Sequence, residues 1–138
     1  DIIPLLNKNT TIGSGMVGDL LEEVEVMAFL NDIKEKFGCG AIRYTNPTKK
    51  IIKRVAVCGG SGSFLLQDAI RAKADVFITS DFKYHEFFDA DGQVLIADIG
   101  HFESEQYTSE WLIAQMKKKF TNFAVRLTSV NTNPINYL

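Results

Sequence analysis

Short apolar runs alternate with helical patterns of apolar residues along most of this chain. The apolar runs are rich in Val and Ile and end at glycine or at polar residues, which is typical of buried strands. We predict strands over residues 41–45, 51–57, 75–79, 94–97 and 122–127. Apolar residues at helical spacing predict helices over residues 25–37, 63–72, 83–90 and 101–119. Because strands alternate with helices, the pattern predicts an α/β domain with a largely parallel sheet flanked by helices.

The start of the chain departs from this pattern. Residues 1–12 contain Pro4 and a polar NKNTT cluster, and we interpret them as a connecting segment that precedes one domain over residues 13–138. Residues 13–18 read G-S-G-M-V-G, the letters of a dinucleotide-binding turn. The acidic residues that follow would repel a pyrophosphate: Asp19, Glu22 and Glu23. We therefore predict that these glycines form a tight turn or a β-bulge.

Composition excludes several classes of partner. The apolar fraction of 46% and the charged fraction of 23% are those of a soluble globular domain, and no run approaches the roughly 18 apolar residues of a membrane span. A formal net charge of -2 gives no general attraction to nucleic acid. Cys39 and Cys58 lack CxxC spacing, so we expect them to fill the core of a protein in a reducing, cytoplasmic compartment.

Three predicted strand-to-helix junctions follow one another along the chain: CGGSGS, TSDFKYH and DIGHFESE. If the three strands are parallel, their carboxyl ends lie on one edge of the sheet, where α/β domains bind ligands. We predict that these polar side chains converge there: Ser61, Asp81, His85, Asp98, His101 and Glu105.

The pair His101 and Glu105 predicts part of a metal site, because residues four apart lie on one face of a helix. Imidazole and carboxylate without thiolate suit zinc, manganese, iron, cobalt or nickel. We expect the N-terminal end of the helix dipole to keep the His101 ring neutral, with a lone pair for the metal. Two ligands do not complete a site, so further ligands must come from elsewhere. The alternative is a histidine with a purely structural role at a helix start.

The Gly-rich turn CGGSGS admits two interpretations. The backbone N–H groups of Gly60, Ser61 and Gly62, with the following helix, could hold an anion or phosphate near the metal. Glycines that only allow a tight turn are the alternative, and the sequence leaves both open. A nucleophilic serine is disfavoured, because the G-x-S-x-G pattern that starts at Gly59 ends in Ser63.

The chain contains in this order GGSG, then ADVFITSD with KYH, and then GHFESE, preceded by GSGMVGDL. This series resembles the C-terminal half of the Nif-three-like family (Ngg-interacting factor 3-like proteins), whose members are also called GTP cyclohydrolase 1 type 2 homologues. The resemblance covers residues 13–120. It implies a fold of two similar α/β halves around a dinuclear metal site, assembled as a toroidal hexamer.

The resemblance also implies roles for individual residues. His101 and Glu105 occupy the family's GHxxxE motif and would bind metal, and Asp81 and His85 fall on a T-[GS]-D-x-x-x-H segment that lines the same cavity. The remaining ligands of the family are a His-His pair and an Asp of the N-terminal half. No His-His pair occurs in this chain, so we interpret it as the C-terminal half of a longer protein. Its partner would be the missing N-terminal half, and alone it should bind metal weakly and be inactive.

Two functions are compatible with these residues. In the first, two metal ions of the intact protein activate a water for hydrolysis of a nucleotide or another phosphate-bearing small molecule. Asp81 or His85 would then transfer protons or orient a ligand. In the second, a non-catalytic protein uses the same ligands to bind or deliver metal, or acts as a regulatory scaffold.

Overall fold

The computed structural model describes residues 3–5 and 13–138. In these residues six strands form one sheet: β1 (Ile3–Leu5), β2 (Gly15–Glu25), β3 (Arg43–Tyr44), β4 (Ile51–Ser61), β5 (Val76–Ser80) and β6 (Leu95–Asp98). The α-helices are α1 (Val26–Lys36), α2 (Leu66–Arg71), α3 (His101–Glu105) and α4 (Thr108–Lys119). Two 3-10 helices span Ser63–Leu65 and Tyr84–Ala90. The predicted α/β class is confirmed.

Parallel pairing occupies the centre of the sheet, whose strand order is β1-β2-β4-β5-β6-β3. The β4–β5 and β5–β6 pairs are parallel, with Ile78 beside Val57 on one side and Ala97 on the other. The other pairs are antiparallel. The carboxyl ends of β4, β5 and β6 therefore lie on one edge, as the alternation of strands and helices predicts.

Two apolar cores lie on opposite faces of the central strands. Along β5, Phe77 packs with residues of α2, whereas Val76 and Ile78 pack with residues of α1. All five residues of β5 are buried. Burial on both faces explains why this strand has no polar alternation in the sequence.

Gly15 and Gly18 lie within strand β2, so the tight turn predicted for them is wrong, whereas Gly13 precedes the strand. In β2, a Cβ on Gly15 would lie 2.7 Å from the Val57 carbonyl oxygen, so glycine permits close approach to β4. An irregularity in pairing occurs further along, between Asp19 and Val24. Within the predicted connecting segment, residues 3–5 pair with β2; residues 1, 2 and 6–12, with the NKNTT cluster, lie outside the described residues.

The single helix predicted over residues 101–119 is broken at Gln106 and Tyr107, between α3 and α4. The Gln106 side-chain amide donates to the Phe37 carbonyl at 2.8 Å, and the Tyr107 hydroxyl donates to the Lys36 carbonyl at 2.7 Å. These two bonds tie the break to the end of α1. Periodicity does not predict the break, because its cause is tertiary. None of the helices in the described part of the chain is long and apolar enough to span a membrane.

The strand predicted over residues 122–127 is wrong, since that segment carries no regular secondary structure. The free edge of β6 is occupied by β3, through Arg43 beside Asp98 and Tyr44 beside Ala97. Phe123 and Leu127 remain about half exposed. The strand propensity of residues 122–127 is therefore not sufficient to pair them with a strand of the sheet.

Candidate functional site

Asp81 and His101 reach the same sheet edge from two neighbouring parallel strands. β5 ends at Ser80, immediately before Asp81, and β6 ends at Asp98, three residues before His101. The turn into α3 passes through Gly100, which has a φ of 96°. That value lies in a region that residues with a Cβ rarely adopt, so the turn requires glycine.

The His101 imidazole lies between two carboxylates. Its Nδ1 is 2.5 Å from Asp81 Oδ2, and its Nε2 is 3.3 Å from Glu105 Oε2. The side chains of His101, Asp81 and Glu105 are 49%, 46% and 51% exposed. The three groups therefore meet in a place open to ligands and not beneath apolar packing.

These carboxylates favour the protonated imidazole in the metal-free chain. The hydrogen bond with Asp81 raises the pKa of His101, partial burial opposes this, and the charges of Asp81 and Glu105 add to the rise. The direction of this shift is opposite to the one expected from the helix dipole. α3 has only five residues, and two full charges in contact with the ring outweigh the partial charge of its N-terminus.

The same donor set fits one side of a metal site. When Asp81 accepts the Nδ1–H, Nε2 keeps its lone pair and faces Glu105. Their separation of 3.3 Å matches two neighbouring ligands with bonds of about 2.1 Å to one ion. Among residues 3–5 and 13–138, no group of three or more His, Cys, Asp or Glu side chains is arranged to hold a metal. His101 and Glu105 thus supply two ligands and need others to complete a site.

Gly60 lies directly against the His101–Glu105 pair and has a left-handed φ of +64°. A Cβ there would lie 2.4 Å from Glu105 Oε1 and 3.3 Å from His101 Cε1. Its N–H donates to Ser104 Oγ at 2.9 Å, and its carbonyl accepts from Thr79 Oγ1 at 3.1 Å. The missing side chain of Gly60 therefore leaves the space that the two candidate ligands use.

The strand predicted over residues 51–57 continues to Ser61, so Gly60 and Ser61 belong to the end of β4, and Gly62, which follows it, is closely packed as well. A Cβ on Gly62 would lie 2.2 Å from Thr79 Oγ1, whereas Ser61 is exposed. Close packing accounts for the glycines at positions 60 and 62. The anion-binding role of Gly60, Ser61 and Gly62 stays a prediction.

Ser104 is a site residue that sequence reasoning missed. Its Oγ donates to the His101 carbonyl at 2.9 Å while it accepts from the Gly60 N–H. Ser104 thereby joins the first turn of α3 to the end of β4. Its position three residues after His101 is the spacing at which serine bonds to backbone in a helix, and that was the available signal.

Asp98 lies at the same edge but does not join the exposed cluster, since it is only 4% exposed. Its Oδ2 accepts from the Phe82 N–H at 3.0 Å and also bonds the Arg43 guanidinium. Its Oδ1 accepts from the Gly100 N–H at 3.2 Å. Asp98 thus anchors the two loops that carry Asp81 and His101.

Known proteins with the same sequence features place the chain in a family. Residues 4–134 match Duf34/NIF3 (NGG1p interacting factor 3). The chain belongs to this family. A GTP cyclohydrolase 1 type 2 homolog of Staphylococcus epidermidis is 34% identical over 137 residues, which are 96% of this chain and 37% of that protein.

Solved structures share the fold of this Duf34/NIF3 chain. A Staphylococcus aureus protein has a TM-score of 0.79 at 29% identity, over 91% of this chain and 42% of its own. A Bacillus cereus protein related to NIF3 has a TM-score of 0.75 at 26% identity, over 90% of this chain and 36% of its own. The Nif-three-like resemblance is confirmed, and the chain spans less than half the length of these relatives.

His85 of this Duf34/NIF3 chain lies on the 3-10 helix that follows Asp81, and it is exposed. Its ring packs edge-on against Tyr84, with 5.2 Å between ring centroids. Within the described residues no hydrogen bond joins His85 to Asp81, His101 or Glu105. The catalytic roles of Asp81 and His85 stay predictions.

A cavity of about 810 Å³ opens beside His101 and Glu105, between residues 127–135 and the break that separates α3 from α4. Asn133 Nδ2 donates to Oε1 of the buried Glu103 at 3.3 Å, and this hydrogen bond holds residues 127–135 against α3. Apolar side chains contribute much of the lining: Phe102, Leu112, Leu127, Val130 and Ile135. Ligand sites have volumes of roughly 300–1,000 Å³, and the volume of this cavity lies within that range.

Proposed function

We propose that this Duf34/NIF3 chain is the C-terminal half of a protein that binds two divalent metal ions. In the intact protein it would act as a metal-dependent hydrolase of a nucleotide or another phosphate-bearing small molecule. The observation that carries the proposal is the 3.3 Å approach of His101 Nε2 and Glu105 Oε2 at the carboxyl edge of the sheet. The name of the staphylococcal relative, a GTP cyclohydrolase 1 type 2 homolog, supports a nucleotide as substrate.

Each residue has a definite task in this proposal. His101 Nε2 and Glu105 hold zinc, manganese, iron, cobalt or nickel. When bound, two such ions supply a Lewis acid and a water of lowered pKa. Asp81 accepts the Nδ1–H of His101, and the exposed His85 exchanges protons with the substrate or with water. The adjacent cavity receives the part of the substrate that carries no charge, because the described residues that line it include acidic Glu105 and Glu110 and no Lys or Arg.

The missing ligands would come from an N-terminal half of the same protein. Two observations support this: the described residues contain no complete metal group, and the chain spans 37% of its staphylococcal relative. We also propose a cytoplasmic homo-oligomer, a hexamer when intact, with neither a membrane nor nucleic acid as partner. The buried, unpaired thiols of Cys39 and Cys58 suit a reducing compartment.

Turnover by the metal-loaded intact protein tests the hydrolase. Nucleotides and other phosphate esters are offered to the wild type, to His101→Ala and to the surface control Glu35→Gln. Loss of a metal ligand should lower turnover more than about 100-fold, since even the outer shell of a metal site contributes about 10–100-fold. Turnover that survives in His101→Ala would contradict the proposal.

Metal binding or delivery without catalysis is the second candidate, and the exposure of all three site side chains favours it. An ion held by such groups remains open to exchange with another protein. Stoichiometric metal uptake that depends on His101, with no turnover of any substrate class, would favour this function over hydrolysis.

A further inference from the structure

We infer that Asp81 is a positioning residue that fixes His101 as its Nδ1–H tautomer and so presents the Nε2 lone pair beside Glu105. The inference rests on the proposed metal site. It assigns Asp81 a role in orienting the ligand, where the sequence left proton transfer and orientation open.

The distances around the ring decide which nitrogen carries hydrogen. A neutral imidazole has one N–H and one lone pair. The contact of Nδ1 is much the shorter, at 2.5 Å to Asp81 Oδ2, whereas Nε2 lies 3.3 Å from Glu105 Oε2. The N–H therefore belongs on Nδ1. Nε2 is left facing a carboxylate oxygen, an arrangement that a cation between the two atoms stabilises.

The backbone around Asp81 fixes the direction of its carboxylate. Asp81 has a φ of 60°, a left-handed value that few residues other than glycine, Asn and Asp adopt. Its neighbours Ser80 and Phe82 are buried, and the Phe82 N–H is bonded to Asp98. A rigid turn thus aims Asp81 at the ring, and a residue in the usual right-handed conformation would point elsewhere.

Gly60 confines the other side of the pair. A Cβ built on Gly60 would lie 3.3 Å from His101 Cε1 and 2.4 Å from Glu105 Oε1, so the ring and the carboxylate both lie close to the backbone at Gly60. The His101 imidazole thus lies between the Asp81 carboxylate, on its Nδ1 side, and the Glu105 carboxylate, on its Nε2 side. In metal proteins such a partner on the remote nitrogen sets the tautomer and strengthens binding.

Nitrogen NMR of the metal-free chain, labelled at its two histidines, tests the inference at a pH where the rings are neutral. We expect the Nδ1–H tautomer for His101 in the wild type. In Asp81→Asn the amide oxygen still accepts the Nδ1–H, so this tautomer should persist. Asp81→Gly keeps the left-handed turn but has no acceptor, so the Nε2–H tautomer should appear. The backbone amide spectrum of each variant shows whether the fold is intact.

Two NMR results would overturn the inference. An Nε2–H tautomer in the wild type contradicts it whether or not the variants fold. An unchanged tautomer in folded Asp81→Gly contradicts it as well.

Zinc competition with the intact protein separates this inference from the metal site itself. Asp81→Gly should bind zinc about 10–100-fold more weakly, Asp81→Asn should lose less, and the charge control Asp89→Asn should match the wild type. If the wild type binds no zinc, the metal proposal fails while the tautomer result still decides the inference. If all variants bind zinc equally, the inference fails and the metal site stands.

Discussion

Two aspartates at the ends of neighbouring parallel strands have opposite surroundings. Asp98, at the end of β6, is buried and satisfies two backbone N–H groups and a guanidinium. Asp81, just after β5, is 46% exposed and meets the imidazole of His101. Both follow an apolar run in the sequence, so the run alone does not distinguish them. Their burial and their hydrogen-bond donors distinguish them. Asp98 is buried and accepts from backbone N–H groups, whereas Asp81 is exposed and contacts a side chain that is available to ligands.

The largest expected effect is on stability, and it belongs to Asp98. Asp98→Ala leaves the Phe82 and Gly100 N–H groups and Arg43 without their acceptor, which should cost about 3 kcal/mol of unfolding free energy. Asp81→Gly removes an exposed group without backbone strain and should cost less than about 1 kcal/mol. Urea denaturation of both variants measures the difference. Equal losses would abolish the distinction between the two aspartates.

Gly60, which lies against the exposed side chains of His101 and Glu105, can be compared with Gly38. Gly60→Ala and Gly38→Ala both place a Cβ at a left-handed φ, of +64° and +63°. No atom of residues 13–138 lies within 4 Å of that Cβ on Gly38, whereas the Cβ on Gly60 would lie 2.4 Å from Glu105 Oε1. Gly38→Ala should cost about 1 kcal/mol from strain alone, and Gly60→Ala should cost about 1 kcal/mol more. Thermal or urea unfolding of the pair gives the difference, and identical costs would mean that Glu105 moves aside freely.

Asp75, like Asp98, accepts hydrogen bonds from backbone N–H groups, and it lies at the opposite end of β5. Burial raises its pKa. The hydrogen bonds from Lys49 and from the N–H groups of Arg54 and Lys53 lower the pKa by more than burial raises it, so the net shift is downward. A lowered pKa in the folded state stabilises the protein above the unfolded value of about 3.9, and this stabilisation is lost as the pH falls through the folded value.

Asp75→Asn should therefore lose about 1 kcal/mol at neutral pH and depend less on pH below about 4. Urea midpoints measured from pH 7 to pH 3 test this, with Asp32→Asn as the control for an exposed aspartate. Parallel curves for wild type and Asp75→Asn would contradict the assignment.

The smallest effect concerns His101. Its raised pKa means that ion pairing with Asp81 stabilises the fold below the unfolded value of about 6.5 and is lost as the pH rises through the folded value. In Asp81→Asn the pKa of His101 should fall towards its ordinary value. NMR titration of the His101 ring in both proteins measures the change. An unaltered pKa of His101 would show that Asp81 does not act on the ring.

Local chemistry made much of the fold predictable. The helix α1 follows the spacing of Phe29, Leu30 and Ile33, which are buried in one core. Strands β4 to β6 and the shared edge follow from apolar runs between helices. The one-turn spacing of His101 and Glu105 correctly predicts that they face each other.

What the sequence did not reveal depends on contacts between distant residues. The break before Thr108 comes from bonds to the end of α1, and the failed strand over 122–127 reflects a sheet edge already taken by β3. The charge of His101 depends on Asp81, twenty residues away in the chain. The role of Gly60 depends on its contact with Glu105, and the composition of the Gly-rich segment does not specify which side chain makes that contact.

The most direct test of the metal site is a crystal structure of the intact, metal-loaded protein, with anomalous scattering recorded at the absorption edge of the bound metal. The predicted result is an ion about 2.0–2.2 Å from His101 Nε2 and from a Glu105 oxygen, with Asp81 on Nδ1. An ion bound elsewhere, or bound through Nδ1 with Glu105 turned away, would contradict it.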